Sequence, residues 1–265
     1  MLIDSHVNLH APQFDADRDA VIDRARAAGI GLMVTICDRV SAFEAVHAIA
    51  MAAPDIWATV GTHPHEAKED AGLTADHLCA LAARPRVVGI GETGLDFHYD
   101  LSPRDVQARV FRVHVEAARR TGLPLVVHTR EADDAMAEIL EEEHARGPFR
   151  LLMHCYTSGP VLARRAAALG AWFSVSGIAT FKAADDVRAV IAQMPAERII
   201  LETDCPYLAP TPMRGRRNEP AFLPHILAKL AAIRGWSLAE TEARTEDAFF
   251  ALFNRIPRAQ QSAAA

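Results

Sequence analysis

Apolar positions in this chain recur as short continuous runs, and a longer stretch of mixed apolar and polar residues follows each run. The runs are Leu2–Asp4, Leu32–Ile36, Trp57–Val60, Val87–Gly91, Leu125–His128, Leu151–His154, Trp172–Val175 and Ile199–Glu202. Apolar residues at successive positions bury both faces of a pleat, as in parallel strands covered by helices. Between the runs, Asp17–Ala28 and Pro103–Thr121 carry helical patterning. Ser102 is the expected N-cap of the longer helix, with Pro103 at its first position, and Gly122 and Pro124 end it. Eight strands at a spacing of about 28 residues predict an α/β protein, a single (β/α)8 TIM barrel. The barrel is expected to span residues 1–256 as one domain, with 257–265 a flexible tail. An open doubly wound sheet would need a glycine-rich phosphate turn after the first strand, and the DSHVNLH found there is not one.

Composition narrows the partners. With 28 basic and 34 acidic residues the chain has a net charge of −6, which argues against a general polyanion binder. A nuclease stays possible if its cations are concentrated locally. No apolar stretch approaches the ~20 residues of a membrane span. The beginning, MLIDSHVNLH, has neither a basic region nor a long apolar core, so no signal peptide is expected. Cys37, Cys79, Cys155 and Cys205 form no CxxC pair and read as buried thiols of a reducing compartment. We therefore expect a cytoplasmic monomer with no membrane partner.

The chemistry gathers at the ends of the runs. The first ends in Asp4-Ser5-His6-Val7-Asn8 and the third in Gly61-Thr62-His63-Pro64-His65. Glu92, His128, His154 and Asp204 follow the fourth, fifth, sixth and eighth. In a barrel these ends share one mouth. Alternation along a strand would turn His6 with Asn8, and His63 with His65, toward it. A single histidine after an apolar run is more often a hydrogen-bonded rim residue than a ligand, but so many coincidences on one face favour a site. Histidines and carboxylates without paired cysteines suit Zn, Mn or Mg. Bound divalent ions make water nucleophilic at neutral pH, and two ions ~3.5–4 Å apart can hold both oxygens of a phosphodiester displacement. Glu92 could bridge two such ions, and Asp204 could ligate one and accept the proton of water. There is no GxSxG elbow, and strand alternation turns at least Cys155 away from the mouth.

Several of these segments resemble the TatD family of metal-dependent deoxyribonucleases, within the amidohydrolase superfamily. They are Asp4-Ser5-His6, Gly61-Thr62-His63-Pro64-His65, Gly91-Glu92-Thr93-Gly94-Leu95-Asp96 and Val127-His128-Thr129-Arg130. His154-Cys155-Tyr156-Thr157-Ser158-Gly159, Ser176-Gly177-Ile178, Thr180-Phe181-Lys182, Glu202 through Pro210, and Arg216-Arg217-Asn218-Glu219-Pro220 complete the set. GETGLD and ETDCPYLAP together are highly specific. The resemblance implies a metal-dependent 3′–5′ exonuclease on DNA, preferring single strands. It implies one or two divalent ions per chain. Glu92 would bridge them, His128 and His154 would ligate one, and His6 and Asp204 the other. His65 and Arg130 would lie near the substrate phosphate. The family usually carries a second histidine two residues after the first, whereas this chain has Asn8. An amide oxygen is a harder, weaker ligand, so looser binding or a preference for Mg and Mn is expected there; an Asn8 that faces inward without ligating is the equal alternative.

The stretch Met213-Arg214-Gly215-Arg216-Arg217 puts three cations just past Asp204, and Arg216 and Arg217 are expected to meet DNA phosphates. Phe181 and Tyr207 are candidates to stack on an unpaired base, and Trp172 reads as core. His10, His47, His77, His98, His114, His144 and His225 have no partner spacing and read mostly as surface or rim residues, with His98 nearest the mouth. Two rival functions remain open. One is a metal-dependent esterase acting on a substrate such as aminoacyl-tRNA. The other is a binding protein whose site has decayed at Asn8.

Overall fold

The computed structural model describes residues 1–258. Eight parallel strands form one sheet, each paired with the next in chain order: β1 (Leu2–Val7), β2 (Ile30–Thr35), β3 (Ile56–Val60), β4 (Val87–Asp96), β5 (Leu125–Arg130), β6 (Leu151–Met153), β7 (Trp172–Val175) and β8 (Ile199–Leu201). The last strand closes on the first through the residues that follow it. The Asp204 amide donates to the His6 carbonyl at 3.0 Å, and the Asn8 amide to the Cys205 carbonyl at 2.9 Å. Buried Asp4 locks the seam, accepting from the Thr203 amide at 2.9 Å and its hydroxyl at 2.6 Å. The result is the (β/α)8 barrel that the apolar runs predict.

The helices follow the strands: α1 (Arg18–Ala27), α2 (Phe43–Ala52), α3 (Ala75–Ala82), α4 (Arg104–Thr121), α5 (Asp133–Arg146), α6 (Pro160–Ala168), α7 (Asp185–Ile191), α8 (Leu223–Arg234) and α9 (Leu238–Leu252). One apolar cluster lies between the helices and the outer face of the sheet. A second fills the barrel. In it Ile3, Val88, Val126, Leu152 and Ile200, each the second residue of its strand, pack with Phe249, Leu252 and Phe253 of α9 and the residue after it. Each buried phenylalanine is worth about 2–3 kcal/mol of transfer free energy. This plug seals the end where the strands start and leaves their polar C-terminal ends as the only mouth among the described residues.

Two local expectations need correction. The longer helix begins at Arg104 with Pro103 as its N-cap, because the Ser102 hydroxyl is engaged elsewhere. It donates to the His65 carbonyl at 2.8 Å and accepts from the Lys68 amide at 3.1 Å, tying the third βα loop to the fourth. The fourth strand does not stop before Glu92 but runs on to Asp96, pairing Asp96 with Arg130 of β5. Gly94 permits this: its φ is +144°, and a Cβ there would lie 2.0 Å from the His128 carbonyl oxygen. Most of the expected tail, from residue 259 on, lies outside the described residues. No described helix is long and apolar enough to cross a membrane.

Candidate active site

Four imidazoles converge on one carboxylate. Glu92 Oε1 lies 2.8 Å from His154 Nε2, 3.2 Å from His128 Nδ1 and 3.5 Å from His63 Nε2. Its Oε2 lies 3.3 Å from His6 Nε2. Each residue comes from a different βα step, so only closure of the barrel assembles them. Burial pushes the Glu92 carboxyl up, but His154, His63, His6 and His128 together hold it well below the usual range.

A second carboxylate stands behind two of the rings. Glu202, fully buried, accepts from His154 Nδ1 at 3.2 Å and lies 4.0 Å from His6 Nδ1. The two rings stack with centroids 4.1 Å apart. Each therefore presents Nε2 to Glu92 and Nδ1 to Glu202, the outer-carboxylate arrangement that orients metal-ligating histidines. Burial lowers the His154 pKa, but Glu92 and Glu202 raise it well above its usual value. Asp96 does the same for the other side: its Oδ2 receives both His65 Nε2 and His128 Nε2 at 3.0 Å. His63 faces Glu92 but has no second carboxylate hydrogen-bonded behind it among the described residues. Burial drives it down to about 3, so it is neutral at physiological pH. Its Nδ1 accepts from the His65 amide at 3.2 Å, which turns Nε2 toward Glu92.

The cluster fits a divalent cation. His6, Glu92 and His154 bring one ligand atom each within 4.8 Å of one another, and so do His63, Glu92 and His128. Neither ring nitrogen of His6 makes a hydrogen bond, although the residue is fully buried. Glu202 Oε2 is likewise without a partner. Orphaned polar atoms at this depth are costly unless something binds them. The donors are nitrogen and oxygen, as Zn or Mn prefers. The grouping pairs His128 with His63 and His154 with His6, unlike the allocation that the sequence resemblance implies.

Asp204 stands beside this nest, its Oδ1 3.6 Å from His6 Nε2. Burial raises its pKa to about 6 against the pull of His6 and His154. Asn8 faces the same carboxylate but offers nitrogen: its Nδ2 donates to Asp204 Oδ1 at 3.2 Å and to the Cys205 carbonyl at 3.1 Å. Both contacts are acceptors, so the amide oxygen is turned away from the carboxylate.

Other sequence expectations fall further out. His65 is one step removed from Glu92, through Asp96. Arg130 is exposed, its guanidinium 4.7 Å from the Tyr99 ring centroid. Arg217 closes its fork on Asp17, at 2.7 and 2.8 Å, and donates to the Gln13 carbonyl at 2.6 Å, so few of its donors remain for a phosphate. Arg216 is exposed and makes no side-chain bond among the described residues. Arg214 stacks on Phe181 at 3.8 Å, and Trp172 opens β7 at the plugged end, away from the mouth. His98 pairs with Glu131 at 2.6 Å. For Cys155 the alternation argument does not apply, since β6 ends at Met153 and Cys155 has φ +43°. Its thiol is still unsuited to attack, because burial, with the carboxylates of Glu202 and Asp204, pushes its pKa well up.

Sequence reading turns His63 toward the mouth without giving it a role, and it gives none to Glu202 or Asp96, though the GETGLD and ETDCPYLAP segments contain them. It also misplaced His114, which is fully buried in α4. His114 Nε2 accepts from the Thr62 amide at 3.0 Å, next to His63, and Nδ1 donates to the Val110 carbonyl at 2.8 Å. Burial lowers its pKa from 6.5 to about 4. The unfolded chain therefore binds this proton at higher pH than the folded one, and stability falls as pH drops through that window. The loss should reach about 3 kcal/mol by pH 4. Urea midpoints of the metal-free wild type and His114→Gln between pH 4 and 6.5 should show the steeper pH dependence in the wild type. Equal slopes would contradict this placement of the proton.

Comparison with known proteins agrees with the geometry. The family described as TatD related DNase matches residues 3–254. A 3′-5′ ssDNA/RNA exonuclease TatD from Erwinia tasmaniensis is 38% identical over 96% of this chain and 100% of its own length. An uncharacterized metal-dependent hydrolase of Bacillus subtilis, YabD, is 35% identical over 93% of this chain and 96% of its own. The solved structure of YjjV, a TatD homologue from Escherichia coli, superposes with a TM-score of 0.89 at 27% identity, over 97% of this chain and 98% of that one.

Proposed function

The chain belongs to the family of TatD-related DNases, and on that premise we propose that it removes nucleotides one at a time from 3′ ends of single-stranded DNA. It is a metal-dependent hydrolase of the nuclease class. The observation that carries the finer reading is the carboxylate of Glu92 ringed by His6, His63, His128 and His154. In this reading Glu92, His6, His63, His128 and His154 would hold one or two divalent ions (Mg, Mn or Zn), with the Asp204 carboxylate at hand on the His6 side. Bound there, such ions would supply Lewis acidity toward a phosphoryl oxygen and lower the pKa of water.

The protein's own groups do the rest. Asp204 Oδ1 takes the proton of the attacking water, a task suited to a carboxylate whose conjugate acid titrates at about 6. The Asn8 amide donates to that same oxygen and fixes its direction. Glu202 and Asp96 hold His154 and His128 so that one chosen nitrogen of each faces Glu92. Arg130 and Arg216, which make no ion pair among the described residues, are the cations left to meet phosphates beyond the nest. Location in the cytoplasm suits the four unpaired cysteines.

The test is digestion of a 5′-labelled single-stranded oligonucleotide with Mg, Mn or Zn and in parallel with chelator. A ladder shortened stepwise from the 3′ end, absent under chelation, is expected. No product with any metal, or loss of the 5′ label first, would refute the proposed reaction.

A further inference from the structure

We propose that Tyr99 and Arg130 form a seat on which the base of the nucleotide next to the scissile bond stacks. This rests on the nuclease reading above and names how the site selects its substrate. Tyr99 is 53% exposed, yet it is not a loose surface aromatic. Its amide donates to Asp96 Oδ1 at 2.9 Å, and the other oxygen of that carboxylate holds His65 and His128. The position of Tyr99 is thus set by the residue that also orients the Glu92 cluster. Its ring meets the His65 ring at 88° with centroids 5.3 Å apart, and His65 in turn lies 4.3 Å from the His63 ring. A base resting on Tyr99 is therefore only two rings from Glu92.

Arg130 completes the seat. Its guanidinium lies over one face of the Tyr99 ring, 4.7 Å from the centroid, the His98 ring stands at 83° to Tyr99 with centroids 4.8 Å apart, and Glu131, the acid beside Arg130 in sequence, is taken by His98. The guanidinium makes no hydrogen bond or ion pair among the described residues. A half-exposed aromatic ring, capped on one face by an arginine with unused donors, matches one ligand class: a flat π-system joined to an anion, as in a nucleotide. The faces of a base inside a duplex are covered by its neighbours, so the seat admits a base only when it is unpaired. Single-strand preference would follow from this contact without any reading of sequence.

The test compares KM for two single-stranded oligonucleotides, one with an ordinary 3′-terminal nucleotide and one with an abasic terminal residue, in the wild type, Tyr99→Phe and Tyr99→Ala. The wild type and Tyr99→Phe should favour the base-bearing end by about tenfold, and Tyr99→Ala should lose most of that preference. A merely structural tyrosine would change both substrates alike and leave the ratio intact. Persistence of the ratio in Tyr99→Ala, or its absence in the wild type, overturns the seat alone. A wild type that cleaves neither oligonucleotide overturns the nuclease reading and the seat with it.

Discussion

Glu92→Ala should lower kcat by roughly a thousandfold or more, since several kcal/mol of charge stabilisation depend on what this carboxylate holds. Among the described residues, no other side chain touches all four imidazoles. Its removal also takes from His128 and His154 one of the acidic neighbours that raise them, leaving only Asp96 and Glu202 in that role. Glu92→Gln is the sharper variant. It keeps the volume and the packing, but its amide presents one oxygen where the carboxylate presents two. Both variants should retain the wild-type circular dichroism spectrum, because the barrel core is sealed by α9 at the opposite end. Activity within tenfold of wild type in either variant would mean that the catalytic centre lies elsewhere.

Asp204→Asn is expected to cost about 10²–10⁴-fold in kcat, the usual contribution of a positioned acid or base, with little change in KM. The asparagine fits the same space and can still accept from Asn8 through its oxygen. What it lacks is a place for the proton. A KM effect that dominates over kcat would assign Asp204 to substrate binding instead.

The barrel was legible because parallel strands buried on both faces leave continuous apolar runs, and eight of them recur at regular spacing. His6, Glu92, His128, His154 and Asp204 were legible because each follows such a run, and the structure brings them to one mouth. His63 and His65 were read alike as facing the mouth, and their different places were not legible, because β3 ends at Val60 and the turn at Pro64–Glu66 decides which way each histidine of HPH faces. Sequence offers no rule for that turn. Glu202 and Asp96 escaped for a related reason: a carboxylate behind a ligand differs from one in front of it only by rotamer and depth. The ion pair of Arg217 was not legible for a long-range reason, since its partner Asp17 is separated from it by nearly the whole barrel in sequence. Tyr99 gave no signal, because exposure of one aromatic at a rim is a property of the assembled loops.

The central claim is that the nest around Glu92 binds divalent cations. Anomalous diffraction from crystals grown with Mn or Zn, collected at the metal edge, measures this directly. Strong anomalous density is expected within ligand distance of Glu92, shared with His6 and His154 or with His63 and His128. Density confined to other parts of the chain, or none at a metal concentration that supports catalysis, would contradict it.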